Sequence, residues 1–252
     1  MCRAPRQPAG TGPARRDIMM RKDKSANAHL AITLVWILVA LYMIFRFAPE
    51  EATMGAVQRI FYAHVSSAWT AFLAYFIVFL ASIAFLWKRA RFADDLAYSC
   101  AEVGFIFCTC VLVTGPLWAK PVWGIWWTWD ARLTSTFVLW LLFISYLMLR
   151  SYVINPGRSA VLGAVVGILG FVDVPIVYMS IRWWRTQHPQ PVIAGGEGSG
   201  LDARMWATLL LSWGACLSLF AYLVRQRLRL AEARRELTMV RRELAAPGDS
   251  SS

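Results

Sequence analysis

Apolar residues fall into six long runs separated by short charged or turn-rich stretches: 28–45, 63–87, 96–113, 133–149, 159–181 and 205–224. A run of roughly 17–25 mostly apolar residues is long enough to cross a bilayer as a helix, in which every backbone polar group is bonded inside the segment. The pattern predicts an all-α integral membrane protein with six transmembrane helices. The third run holds Glu102 and the fifth Asp173, two residues before Pro175; a carboxylate at that depth needs a partner or a protein interior. Asp173 is expected to bond to a helix opened by the proline, and the sequence offers Glu102 no obvious partner.

Six crossings put both ends of the chain on one side. Of the 26 Lys and Arg residues, 19 lie in the two tails and the two loops on that side, and 7 lie opposite. Excess Lys and Arg mark the cytoplasmic face, so both termini are predicted to be cytoplasmic. The predicted organisation is a disordered basic tail over 1–27, a membrane domain over 28–224 with a tryptophan-rich loop at 114–132, and a basic amphipathic tail over 225–252. The first tail lacks the apolar core of a signal peptide; it is a tail, or an overlong start with the true initiator at Met19 or Met20. In the second tail Leu230, Ala233, Leu237, Val240 and Leu244 form a helical stripe with arginines between them. That pattern predicts a helix lying on the anionic inner leaflet, with a cytoplasmic partner as the alternative occupant.

Composition agrees with this picture and removes others. The chain of 252 residues is 58% hydrophobic and only 16% charged, well beyond the balance of a soluble domain. Its net charge of +11 is distributed as topology signals, so no nucleic-acid partner is expected. The five cysteines include no CxxC or CxxCH pair, which excludes a thioredoxin-like thiol site and covalent c-type haem attachment.

Chemistry concentrates on the side opposite the termini. The stretch TGPLWAKPVWGIWWTWDAR at 114–132 holds Trp118, Trp123, Trp126, Trp127 and Trp129, five of thirteen tryptophans within twelve residues. Pro116, Pro121 and Gly124 are expected to break a continuous helix before Trp126. An interfacial aromatic belt supplies one or two tryptophans per helix end, not five. Such density suits a large planar apolar ligand or a protein-docking patch. Trp183 and Trp184 could extend the same wall. Of the three histidines, His64 and His188 both fall on this side, and two imidazoles can supply both axial ligands of a haem iron. Arg59, Lys120, Arg132, Arg182 and Arg185 are available to the two propionates. Asp130 is read as the N-cap of the fourth helix or as an orienting hydrogen-bond partner within the tryptophan platform.

The segment WGIWWTWDARLT, Trp123 to Thr134, resembles the signature of the haem-handling membrane proteins with a tryptophan-rich WWD domain. Its continuation, with RIFYAHVSSAW around His64 and PIVYMSIRWWRTQH ending at His188, is similar to the cytochrome c maturation protein C (haem exporter protein C) family. The resemblance spans roughly 46–224. Ile125 and Ser66 depart from the usual motif residues without removing a histidine.

The resemblance implies that His64 and His188 ligate the iron of haem b. It also implies a platform from Trp118 to Asp130, with Trp123, Gly124, Trp126, Trp127, Trp129 and the adjoining Arg132. It further implies haem delivery, without catalysis, from the outer face of a bacterial cytoplasmic (inner) membrane. The implied partners are a haem chaperone, the ATPase and permease subunits of an ABC transporter, and a small one-helix membrane subunit. A haem lyase of the same superfamily is the alternative, disfavoured because this chain has no further outer histidines and no large outer domain. A membrane cytochrome subunit for electron transfer is another, disfavoured because no predicted helix has a histidine beyond its first two residues.

Overall fold

A computed structural model describes residues 13–189 and 201–245. Its helices are α1 (Pro13–Tyr42), α2 (Ile60–Lys88), α3 (Arg91–Trp123), α4 (Ala131–Tyr152), α5 (Pro156–Gly170), α6 (Asp173–Trp183) and α7 (Ala203–Ala245), with a π-helical turn at Met43–Phe47 and a 3-10 turn at Ala56–Arg59. Six segments are long and apolar enough to cross a membrane, α5 and α6 together forming the fifth. Among the described residues there is no strand, only an isolated bridge between Glu51 and Gly55. The chain is a multi-pass membrane protein.

α2 and α3 form the centre, with α4, α5 and α7 packed around them and α1 against α7. Small residues make the close approach possible: Gly104 of α3 lies against Ala74 of α2 and Phe143 of α4, in one buried cluster with Ala71, Ala97, Ala101, Cys108, Leu139 and Tyr146. In a bilayer, helix association depends on this van der Waals fit, because lipid tails are as apolar as the side chains. Large apolar residues such as Leu38, Phe76 and Leu169 face outward.

Four expectations are refined. α3 does end before Trp126, but neither Pro116 nor Pro121 ends it; both lie within its last turns. The stop is Gly124, at φ 77°, whose N–H bonds the Lys120 carbonyl at 3.0 Å. A proline near a helix end removes a single backbone bond, whereas a left-handed residue redirects the chain. The tryptophan-rich connection is therefore only the short stretch 124–130.

Secondly, α7 continues unbroken to Ala245, one helix through both the sixth apolar run and the basic stripe. No Gly or Pro lies between Gly214 and Ala245 to turn it. Arg227 and Arg235 also tie it to Glu102 and Asp95 of α3. Glu102 thus has the partner that the sequence left unnamed.

Thirdly, α1 begins at Pro13, inside the stretch predicted to be a tail; residues 1–12 and 246–252 lie outside the described residues. Finally, the fifth span breaks at Phe171–Val172, ahead of Asp173, and Asp173 Oδ2 is buried without a hydrogen-bond partner among the described residues.

Candidate functional site

Two histidines from distant parts of the chain meet on the side opposite the termini. His64 lies on the second turn of α2 and is buried; His188 follows α6, whose C-cap Trp184 is extended and turns the chain back. Their ring centres are 6.4 Å apart and their planes tilt by 36°. His64 Nδ1 lies 2.9 Å from Thr114 Oγ1 on α3. His188 Nδ1 lies 2.9 Å from the Pro189 carbonyl, and its backbone N–H donates to Thr186 Oγ1. A carbonyl only accepts, so His188 carries its proton on Nδ1 and leaves the Nε2 lone pair bare. Burial pushes the His188 imidazolium down to about 4, with the Arg132 charge acting in the same direction and the Pro189 carbonyl opposing.

The histidines border a cavity of about 60 Å³ whose walls include Trp118, Trp123, Trp127 and Arg132, with Ala71, Cys108 and Leu139 below. Trp118 is buried, 6.1 Å from the His64 ring and 6.4 Å from Trp123. Among the described residues the indole N–H groups of Trp118 and Trp127 are buried without a hydrogen-bond acceptor, which is unusual for buried polar groups. Asp130 caps α4, accepting from the backbone N–H of Arg132 at 2.9 Å and of Leu133 at 3.0 Å, and from the Thr128 hydroxyl. Arg132 then reaches across to the Val177 and Tyr178 carbonyls, tying the start of α4 to α6.

The sequence model of the family described as Heme exporter protein C (CcmC) matches residues 13–243. This chain belongs to that family. It is 34% identical over 193 residues to Heme exporter protein C of Bradyrhizobium diazoefficiens, covering 77% of this chain and 73% of the relative. It is 31% identical over 219 residues to the Rhodobacter capsulatus protein of the same name, covering 86% and 90%. A relative from Marchantia polymorpha called a putative cytochrome c biosynthesis ccmC-like mitochondrial protein is 31% identical, with 73% and 78% covered.

In this CcmC-family chain the sequence-predicted residues divide into two groups. His64, His188, Trp118, Trp123, Trp127 and Arg132 line one cavity. Trp126, Trp129, Trp183 and Trp184 are instead exposed, and the last pair stacks edge-on at 5.7 Å outside the cavity lining. Gly124 and Asp130 shape the connection, one as a helix stop and the other as a cap. Among the cations named for the propionates, Arg132 reaches the cavity, Lys120 lies over the Trp126 ring and bonds the Gly124 carbonyl, and Arg59 pairs with Glu50 at 3.2 Å. The N-cap reading of Asp130 holds, and the same carboxylate also accepts from the Thr128 hydroxyl.

Sequence reasoning missed Thr114. Its signal was a lone hydroxyl at the outer end of an apolar run, but fifty positions separate it from His64 and only helix packing unites them. Among the described residues no group of three or more His, Cys, Asp or Glu could hold a bare metal ion. Two convergent imidazoles suit an iron whose remaining ligands come with its own macrocycle.

Proposed function

We propose that this chain holds haem b between His64 and His188 and hands it on for cytochrome c maturation. The observation that carries the reading is the spacing of the two rings. An imidazole nitrogen lies about 2 Å from a metal it ligates and about 1 Å from its own ring centre, so rings flanking one iron have centres about 6 Å apart. The separation here is 6.4 Å. Both rings use Nδ1 in hydrogen bonds, which leaves Nε2 for the metal.

Trp118, Trp123 and Trp127 provide apolar faces for a macrocycle, and Arg132 provides positive charge for a propionate. An edge of the macrocycle left outside this wall is what a haem chaperone can take, and exposed Trp126 and Trp129, the latter against Trp127, offer it a docking rim. Binding and hand-over require no bond-making residue, and the reading is of a carrier with no catalytic step.

The orientation follows the charge bias, with the site on the periplasmic side of the bacterial cytoplasmic membrane and both termini in the cytoplasm. The other proposed partners are the ATPase and permease subunits of an ABC transporter, a one-helix membrane subunit and the surrounding lipid.

The test is absorption spectroscopy of the detergent-purified protein. Wild-type protein is expected to show a Soret band of six-coordinate haem that weakens and shifts in His64→Ala and in His188→Ala. Unchanged spectra in both variants would reject the ligand assignment.

A further inference from the structure

We propose that Thr114 is a positioning residue for His64. Its hydroxyl holds the imidazole in the Nδ1–H tautomer and fixes the ring so that Nε2 offers its lone pair to the haem iron. The proposal rests on the reading of His64 as an axial ligand.

A threonine hydroxyl has one proton to give and two lone pairs to receive with. Thr114 Oγ1 gives its proton to the Cys110 carbonyl at 2.7 Å, one turn back on α3, with the Val111 carbonyl at 3.4 Å as a second acceptor. Neither carbonyl can return a proton. The oxygen therefore meets His64 Nδ1, 2.9 Å away, as an acceptor, and the ring proton must sit on Nδ1. The opposite tautomer would set a nitrogen lone pair against an oxygen lone pair. Relief would require breaking the Thr114–Cys110 bond, where His64 is buried and water is scarce.

Three further features make this a firm support. Threonine is β-branched, so the back-bonded rotamer is narrowly defined. α3 runs continuously through Thr114, and α2 and α3 share the most extensive helix contact in the fold, so the oxygen cannot drift from the ring. A hydroxyl that donates becomes a better acceptor, which strengthens the imidazole as an electron donor to a metal. The two ligands are held differently: His188 bonds its own neighbour Pro189, whereas His64 is fixed by another helix.

The experiment uses full-length protein in detergent, titrated with ferric haem and poised electrochemically, in wild type, Thr114→Val, Thr114→Ser and His64→Ala. Thr114→Val keeps the shape and removes the acceptor. It is expected to weaken ferric-haem affinity about tenfold or more, the usual effect of losing such a partner. A tenfold loss confined to the ferric form raises the midpoint potential by about 59 mV. Thr114→Ser is expected to restore both quantities. If Thr114→Val does not accumulate in membranes, Thr114→Ala against Thr114→Ser makes the same comparison.

Wild-type affinity and potential in Thr114→Val, with His64→Ala losing the six-coordinate spectrum, would overturn the positioning role and leave the ligand reading intact. A defect that serine does not repair overturns it as well, since packing alone would then be responsible. An unaltered spectrum in His64→Ala removes the ligand reading and this proposal with it.

Discussion

The guanidinium of Arg227 grips the carboxylate of Glu102 through two hydrogen bonds and so joins the extension of α7 to α3. The pair is about a quarter to a third exposed, and Arg235 repeats the link about two turns further along with Asp95. Together they help to hold α7 as one helix beyond the apolar run.

Removing one partner leaves a partly buried charge uncompensated. Glu102→Gln or Arg227→Gln alone is expected to destabilise the protein by about 2 kcal/mol, below the fully buried range because water screens part of the pair. The double variant is expected to recover much of that loss. Thermal unfolding in detergent measures it, and strictly additive losses would show that the pair is not coupled.

Gly170, the last residue of α5, lies against Tyr75 of α2. A Cβ there would clash with Tyr75 Oη, which among the described residues is buried without a hydrogen-bond partner. Gly170→Ala is therefore expected to destabilise by about 1–3 kcal/mol through overpacking. Tyr75→Phe removes the nearest clashing atom and is expected to suppress part of the defect. Equal melting temperatures for Gly170→Ala and wild type would contradict this contact.

Gly124 makes a different case. Its φ of 77° is left-handed, but nothing lies within 4 Å of a Cβ built there. The cost of Gly124→Ala is then conformational only, about 1–2 kcal/mol. Gly124→Asn is expected to cost less, because asparagine tolerates that region. The ranking Gly, Asn, Ala in melting temperature is the check; alanine outranking asparagine would place the cost elsewhere.

His188 sets a pH limit. Burial lowers its pKa from 6.5 to about 4, so the folded chain keeps it neutral where an ordinary histidine is protonated. The unfolded chain gains its proton near 6.5, so the His188 contribution to stability is present above that pH. It is lost progressively as the pH falls toward 4. Ligation needs the neutral ring and itself opposes protonation, so the six-coordinate spectrum is expected to persist at pH 5 and to be lost only near pH 4 or below. A spectral midpoint near 6.5 would mean that the His188 ring is open to water in the haem-loaded protein.

The sequence was most legible where physics is local. Run length and the scarcity of charge predicted six crossings and the structure has six, because hydropathy is summed along the chain without reference to neighbours. Local cues were less secure near helix ends: Pro116 and Pro121 pointed to a break, but a helix held between packed neighbours tolerates the loss of single backbone bonds.

The sequence by itself determined the number of spans, the tryptophan-rich connection, and the family through WGIWWTWDARLT and the two histidine motifs. Only the tertiary structure decided which indoles line the cavity. It alone also set His64 and His188 at 6.4 Å, gave Glu102 its arginine and put Thr114 behind an imidazole. The reason is rotational: a helix's composition says that it enters the bilayer, but its turn about its own axis is fixed by fit against its neighbours.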